Sequence, residues 1–159
     1  MERNRIAVIG LGNYLLADEG AGMHAVEILR KRKYSGGVDF VDAGTPGMNL
    51  LHQFEHRERI FFIDSGECGL KPGKYIRFRP DEVISLKQTK NYSLHAFDLI
   101  SFLKKADELG ATGKAEIIIY CIQAAEIRMS QNLSRDVEKG LPELINEIYA
   151  EIEAGVSDA

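Results

Sequence analysis

The sequence predicts a single-domain, doubly wound α/β sandwich of three layers, with a mostly parallel sheet. Apolar segments of strand length alternate with amphipathic segments of helix length, and no linker or repeat interrupts this alternation. The first apolar segment, Ile6 to Ile9, is followed at once by a glycine-rich loop and a helix. In α/β proteins, a loop outside the carboxyl end of the first strand is a common place for a ligand.

The amino-terminal half is expected to contribute three strands and two helices. The predicted strands are Ile6 to Ile9, Val38 to Val41, and Ile60 to Ile63, the last of which ends at Asp64. Asp18 is the predicted N-cap of a helix that continues to about Lys33. Thr45-Pro46 is expected to begin a short helix that ends near Phe54.

The carboxyl-terminal half adds two strands and two helices. The strands are Tyr75 to Phe78 and Ile117 to Cys121, and the helices are Leu94 to Leu109, capped by Ser93, and Ser134 to about Ile152. The loop before Tyr75 is rich in glycine and holds no helix, whereas a parallel partner needs a longer crossover. We therefore predict that this strand is antiparallel or lies at an edge. The domain is predicted over residues 1–154, with a disordered tail at 155–159.

Composition and charge exclude several classes of function. The chain has 20 basic and 24 acidic residues, and its net charge of −4 argues against nucleic acid or an anionic membrane as a partner. No apolar segment approaches the roughly 20 residues that cross a bilayer, and no signal peptide is predicted. The two cysteines, Cys68 and Cys121, lack the spacing of a disulfide or metal motif. We expect a cytoplasmic protein in which Cys121 belongs to the core and Cys68 has no catalytic role.

The loop after the first strand begins like a dinucleotide-binding fingerprint and ends differently. Gly10 and Gly12 have the spacing of that fingerprint, but Leu15 stands where the third glycine is expected. Asp18 and Glu19 follow at the start of the helix, whose positive end would otherwise attract a pyrophosphate. Two carboxylates at this position repel a phosphate and suit a cation.

Two glycines, Gly20 and Gly22, fall within the first turns of the predicted helix. Each costs about 1 kcal/mol relative to alanine in a helix interior. One interpretation is a late helix start or loose packing. The other is the close approach of another backbone, which could belong to a substrate.

Glu19, Asp64 and His95 are the candidate metal ligands. Right-handed crossovers place the first and third strands on either side of a topological switch point, so the loops after Gly12 and Asp64 should face one crevice. Two carboxylates and an imidazole suit a divalent first-row metal with open coordination positions. In the first turn of its helix, the His95 ring is expected to stay neutral and able to ligate. Each residue alone also has an ordinary structural explanation, and only their joint placement favours a metal site.

The segment after the second strand also carries candidate residues. Asp42 ends that strand and is followed by Gly44, Thr45 and Gly47. Asp42 could hold a ribose, help to bind a substrate, or shape a turn.

In their order and spacing these residues resemble the hydrogenase maturation proteases. The motifs that carry the resemblance are Gly10-x-Gly12-Asn13-x-Leu15-x-x-Asp18-Glu19-Gly20-x-Gly22, Asp42-x-Gly44-Thr45-x-Gly47, Ile63-Asp64 and Ser93-x-His95. Pro72-Gly73 and Ile122-Gln123 are similar as well, whereas Ala124 stands where other members often have a proline. The resemblance extends from the first strand to the final helix.

This resemblance implies an endopeptidase that removes the C-terminal extension from the large-subunit precursor of a nickel–iron hydrogenase after nickel insertion. Matched residue by residue, it implies Glu19, Asp64 and His95 as the nickel-binding and catalytic residues. The nickel would arrive with the precursor and would not be a permanent cofactor. Asp42 and the loop of Gly44, Thr45 and Gly47 would help to seat the precursor.

Two alternatives remain at this point. A nucleotide-binding, Rossmann-like module would use Gly10, Gly12 and Asp42, although Leu15 and the acidic helix start count against it. A nickel carrier or chaperone without catalytic activity would use the same three metal ligands as the protease.

Overall fold

The computed structural model of the chain describes residues 3–82 and 94–157, except for the side chains of 94–97 and 157. Five strands form one sheet in the order β2-β1-β3-β5-β4. The strands are β1 (Ile6–Leu11), β2 (Val38–Gly44), β3 (Arg59–Gly66), β4 (Tyr75–Phe78) and β5 (Glu116–Gln123). Strands β2, β1, β3 and β5 are parallel, and β4 runs antiparallel to β5 at the edge. Both properties predicted for Tyr75 to Phe78 are confirmed.

Helices cover both faces of the sheet, which confirms the predicted three layers. The helices are α1 (Ala21–Arg30), α2 (Leu94–Glu108) and α3 (Arg135–Ser157), with 3₁₀ helices at Ala17–Gly20, Met48–Phe54 and Pro80–Glu82. Helices α1 and α3 pack on one face, around Val8 and Phe61. Helix α2 and the 3₁₀ helix Met48–Phe54 pack on the other, around Phe62. None of the helices within the described ranges has both the length and the apolar character that spanning a membrane requires.

The two central strands are longer than predicted. Strand β3 continues beyond Asp64 to Gly66, and β5 continues beyond Cys121 to Gln123. Both extensions belong to one ladder, since β3 and β5 stay in register up to the pair of Gly66 and Gln123. Asp64 is therefore held within a strand, where its backbone has little freedom.

Several helix boundaries also differ from the prediction. Helix α1 ends at Arg30, before the predicted Lys33. Thr45-Pro46 does not begin the short helix, which starts at Met48 as a 3₁₀ helix. Helix α3 continues to Ser157, so residues 155–157, predicted as part of a disordered tail, are helical. Ser93, the predicted cap of α2, lies outside the described residues.

Close packing between α1 and the sheet explains the glycines at the helix start. A Cβ added at Gly22 would lie 2.2 Å from the carbonyl oxygen of Ile63 and 2.6 Å from that of Leu11. At Gly20, a Cβ would lie 3.1 Å from the carbonyl oxygen of Asn13. The backbone that approaches these glycines therefore belongs to this chain. The contact brings the start of α1 against the ends of β1 and β3.

Candidate active site

Glu19 and Asp64 lie at the edge of the sheet where the parallel strands end. Asp64, in β3, is 4% exposed, and Glu19 is half-buried in the 3₁₀ helix Ala17–Gly20. That 3₁₀ helix contacts β3. The two elements that carry the predicted carboxylate ligands are thus neighbours, as the switch-point argument predicts.

The strand geometry sets the direction of the Asp64 side chain. Successive side chains of a strand point to opposite faces, so Asp64 shares a face with Phe62, which packs in the core under α2. One carboxylate oxygen of Asp64 accepts a hydrogen bond from the N–H of Ser65, at 2.8 Å. Asp64 is therefore presented on the α2 side of the sheet.

His95 lies in the first turn of α2, as predicted, but its side chain is outside the described residues. Helix α2 leads into the amino end of β5, and a helix in such a crossover runs antiparallel to the strands. The start of α2 therefore lies at the same edge of the sheet as Asp64 and on the same face. The backbone placement is compatible with the predicted ligand set.

No three His, Cys, Asp or Glu residues among the described side chains are grouped closely enough to hold a metal ion. The predicted set needs the imidazole of His95, which is not among those side chains. Glu19 and Asp64 alone offer oxygen ligands to a divalent metal and leave most of its coordination positions open. The three-ligand site stays a prediction.

The environment of Cys121 argues against a role as a thiolate nucleophile. Cys68 and Cys121 are free thiols in the core, and Cys121 is opposite Asp64 in the β3–β5 ladder. A hydrogen bond with Cys68 raises the pKa of Cys121 well above its ordinary value, and burial and the negative charges of Asp64 and Glu67 raise it further. Because a cysteine nucleophile must be deprotonated, this thiol is unsuited to catalysis. The core position predicted for Cys121 is confirmed.

Asp18 has a different position from the one predicted. It is not the N-cap of α1, since Gly20 holds that place without any side-chain cap. Asp18 is fully buried, and its carboxylate accepts hydrogen bonds from the N–H groups of Ala125, Glu126 and Ser134 at 2.7–2.8 Å. The Ser134 hydroxyl donates a fourth bond at 2.7 Å. The charge of Asp18 is therefore directed into the protein, and of the two acids only Glu19 stays near the helix start.

These hydrogen bonds keep Asp18 ionised despite its burial. Burial alone would raise the pKa of Asp18, but the bonds from Glu126, Ser134 and Ala125 outweigh it and lower the pKa below its ordinary value. Ser134 also caps α3, since its hydroxyl oxygen accepts the N–H of Val137 at 3.4 Å. Asp18 thus joins the loop that carries Glu19 to the loop between β5 and α3. We call this arrangement the Asp18 anchor.

The glycine-rich loop has little capacity left for a nucleotide. A dinucleotide-binding loop presents free backbone N–H groups to a pyrophosphate. Here the N–H groups of seven loop residues donate to oxygens of the protein itself. They are those of Gly12, Asn13, Leu15, Leu16, Ala17, Asp18 and Glu19. A pyrophosphate would have to displace these bonds, which counts against the nucleotide-binding alternative.

Asp42 and Asp64 lie on opposite faces of the sheet. Asp42 is exposed at the end of β2, and its carboxylate pairs with Arg30 of α1 at 3.4 Å. Gly44 follows with a positive φ of 64°, and its carbonyl oxygen accepts the N–H of Gly12 at 2.9 Å. The segment of Gly44, Thr45 and Gly47 therefore borders the glycine-rich loop. The substrate-binding role of these residues stays a prediction.

Gln123 is a structural residue of the site to which sequence reasoning gave no role. It is 3% exposed, and its side-chain oxygen accepts the N–H groups of Cys68 at 2.7 Å and Leu70 at 3.2 Å. Its amide nitrogen donates to Glu67 at 3.1 Å. Gln123 therefore holds the loop that follows Asp64. The sequence signal that could have indicated this role is a polar residue at the end of an apolar strand.

Comparison with known proteins identifies the family. A family model for HycI, described as hydrogenase maturation protease, matches residues 23–151. The hydrogenase expression/formation protein HupD from Bradyrhizobium diazoefficiens is 38% identical over 119 residues, which cover 74% of this chain and 62% of HupD. The chain thus spans less than two thirds of the length of this curated relative.

Solved structures share the fold over nearly the whole chain. The NiFe hydrogenase maturation protease HybD from Thermococcus kodakarensis has a TM-score of 0.80 and 29% identity, and the match covers 93% of this chain and 99% of that one. The hydrogenase maturating endopeptidase HybD from E. coli has a TM-score of 0.81 and 27% identity, with 95% and 93% covered. The family model, the sequence relative and the shared fold agree, and the chain belongs to the hydrogenase maturation protease family.

Proposed function

We propose that this protein is an endopeptidase that removes the C-terminal extension of a nickel–iron hydrogenase large-subunit precursor after nickel has been inserted. Family membership supports the reaction class. The observation that carries the proposal is the buried Asp64 carboxylate at the carboxyl edge of the sheet, with the 3₁₀ helix of Glu19 in contact with its strand. This edge is where α/β proteins bind their substrates.

Nickel belongs to the substrate in this proposal. Glu19 and Asp64 would offer oxygen ligands, and His95 a nitrogen ligand, to the metal that the precursor carries. Three ligands from separate elements, two of them hard oxygens and none a thiolate, form an open site with weak affinity for free nickel. A loaded precursor supplies the remaining ligands and therefore binds more tightly than an empty one.

The same arrangement supports peptide hydrolysis. A carboxylate of the site would orient a water and accept its proton, and nickel bound beside it would supply Lewis acidity to polarise the scissile carbonyl. The water oxygen adds to the carbonyl carbon, the C–N bond breaks, and the proton passes to the leaving amine. Asp42 and the neighbouring segment of Gly44, Thr45 and Gly47 would help to seat the precursor.

We also propose that the protein acts in the cytoplasm. Cys68 and Cys121 are both free thiols in the structure. They belong to one core cluster. Reduced neighbouring thiols are typical of a reducing compartment.

The test compares nickel-loaded and nickel-free precursor as substrates for protein that has been treated with chelator and desalted. Mass spectrometry of the large subunit measures the released extension. Cleavage of the loaded precursor alone is the expected result. Equal cleavage of both forms would contradict the role of nickel in recognition. Nickel transfer without any cleavage would instead identify a carrier.

A further inference from the structure

Large apolar side chains that face solvent are concentrated at one edge of the sheet. Within residues 3–82 and 98–156, seven such side chains are exposed, and five of them lie in the segments that follow the carboxyl ends of the parallel strands. These five are Leu15, Met48, Leu70, Ile127 and Met129. The other two, Ile28 and Leu109, lie on α1 and directly after α2. Exposed apolar groups that gather beside a candidate site indicate a surface that becomes covered.

Three of the five, Leu15, Ile127 and Met129, belong to two loops that are joined to each other. We call these three residues the apolar patch. Their exposed fractions are 51%, 64% and 78%. The N–H of Ser130 donates to the carbonyl oxygen of Leu15 at 3.0 Å, and the N–H of Ala17 donates to that of Ser130 at 2.7 Å. The patch is therefore built from two loops, β1–α1 and β5–α3, that backbone hydrogen bonds hold together.

The apolar patch is ordered before any partner arrives. The N–H of Leu15 is held by the side chain of Asn13 at 2.9 Å, and the Asp18 anchor fixes the beginning of the loop that carries Ile127 and Met129. A partner that binds a preorganised surface loses less conformational entropy on binding. Glu19 directly follows Asp18, so the same anchor holds the patch next to the candidate active site.

The charged residues that alternate with Ile127 and Met129 compensate each other. Glu126 and Arg128, the charged residues next to Ile127 and Met129 in the chain, pair with each other at 2.8 Å. They neutralise one another, and the patch itself has no charged side chain. Its partner must therefore be recognised by apolar contact, to which a flexible methionine side chain can adapt.

We propose that the apolar patch is the docking surface for an apolar segment of the precursor beside the scissile bond. This inference rests on the proposed function, because it takes the substrate of the site to be a protein. The patch is continuous with the loop of Glu19. A folded precursor whose scissile peptide reaches Glu19 and Asp64 must therefore cover the neighbouring loops.

The test uses the double variant Ile127→Glu/Met129→Glu and the matched control Leu109→Glu. Leu109 is 69% exposed but follows the end of α2, toward the opposite edge of the sheet. All three substitutions place a carboxylate where a side chain already faces water, so the fold should persist, and circular dichroism checks this. The readouts are KM and kcat for nickel-loaded precursor, its binding measured by calorimetry, and the mass of the free protein by sedimentation.

The expected result is a rise in KM of about tenfold or more for the double variant, with kcat nearly unchanged and with no change in the control. An unchanged KM in the double variant would overturn the docking surface while leaving the protease activity intact. A wild-type dimer that the double variant converts to a monomer, with KM unaltered, would assign the patch to a second copy of the chain.

Failure of the proposed function gives a separate result. If the wild-type protein cleaves no precursor but binds the loaded form, and the double variant does not bind it, then the patch is supported and the catalytic proposal fails. If the wild-type protein neither cleaves nor binds the loaded precursor, both the docking inference and the proposed function fail.

Discussion

The two edges of the sheet hold their buried charges in different ways. At the amino edge, oppositely charged side chains are paired: Arg57, whose side chain is 2% exposed, pairs with Asp39, and Arg59 pairs with Glu116. At the carboxyl edge, the fully buried carboxylate of Asp18 is satisfied by backbone N–H groups and one hydroxyl. The buried cation Arg57 is thus neutralised by an opposite charge, whereas the buried anion Asp18 is stabilised by neutral hydrogen-bond donors.

This difference affects what each edge can bind. Ion pairs at the amino edge leave little local charge, and removing one partner of a buried pair destabilises the fold because the other charge stays behind. Neutral donors at the carboxyl edge stabilise Asp18 but do not remove its negative charge. That charge adds to those of Glu19 and Asp64 nearby and favours a cation at this edge. The comparison therefore predicts that variants at the two edges separate activity from stability.

The largest expected effect is the loss of processing in Glu19→Gln, Asp64→Asn and His95→Gln, each made singly. Each change keeps a side chain of similar size but removes a ligand, so cleavage should fall below detection while the fold persists. Mass spectrometry of the precursor measures cleavage, and circular dichroism with thermal melting checks the fold. Full activity in any two of the three variants would show that the ligand assignment is wrong.

At the amino edge, Arg57→Met should have the opposite effect: it should lower stability and leave activity unchanged. The change removes the cationic partner of Asp39, which keeps only the hydrogen bond from Asn4, and removes the guanidinium bonds to the carbonyl oxygens of Asn4 and Gln53. We expect a loss of about 3–4 kcal/mol in the free energy of unfolding, with kcat/KM unchanged well below the melting temperature. Urea unfolding measures the loss.

Arg5→Met is the matched control, because the pair of Arg5 and Glu58 is largely exposed. An exposed pair contributes little to stability, so this variant should resemble the wild type. If Arg57→Met lowered kcat/KM at a temperature where it is folded, the amino edge would have a part in the reaction after all.

A smaller effect is expected for Asp18→Asn. The amide nitrogen would face backbone N–H groups that now donate to a carboxylate, so at least one hydrogen bond of the Asp18 anchor is lost. We expect the free energy of unfolding to fall by about 2–3 kcal/mol, together with kcat/KM, because the loop of Glu19 is released. Glu19→Gln, the neighbouring change, should lose activity without this loss of stability. Equal melting temperatures for the two variants would contradict the anchor.

The smallest expected effect is a decrease in the free energy of unfolding at acid pH. The pKa values of Asp18 and Asp39 are lowered in the folded protein, because their hydrogen bonds outweigh burial, which would raise them. A lowered pKa in the folded state contributes stability above the unfolded pKa of about 4, and this stability is lost as the pH falls through the folded pKa. The free energy of unfolding should be nearly constant from about pH 7 to pH 5 and decrease below about pH 4.

Urea titrations at several pH values measure this dependence, and Asp18→Asn should show a shallower decrease. A decrease centred near neutral pH would contradict the assignment to these two carboxylates.

Much of the fold could be predicted from the pattern of apolar segments. The number of strands, the switch point beside β1 and the direction of Tyr75 to Phe78 follow from segment lengths and from the short loop before Tyr75. The ends of β3 and β5 could not be predicted in this way. Asp64 looks like a strand end because it is polar, and the apolar pattern of β5 ends near Cys121. Pairing between the two strands extends the ladder beyond both residues, to Gly66 and Gln123.

The parts of the candidate site that depend on strand order could be predicted from the sequence. The parts that depend on contacts between distant residues could not. Glu19 and Asp64 follow from strand order alone. Asp18 has the local pattern of an N-cap, but the partners of its carboxylate lie 107–116 positions later in the chain. No pattern within one segment encodes such contacts. The close contact of Gly22 could not be predicted either, because the atom that packs against it is the carbonyl oxygen of Ile63 in another strand.

The Asp18 anchor also sets when the site can form during synthesis. The glycine-rich loop leaves the ribosome early, but the N–H groups that hold Asp18 belong to residues from Ala125 to Ser134. A nascent chain that has not reached Ser134 cannot fix the loop of Glu19 in its final position. Translation of a truncated messenger RNA would therefore yield a fragment that contains the whole glycine-rich loop but no assembled site. The candidate site can therefore form only after Ser134 has been synthesised.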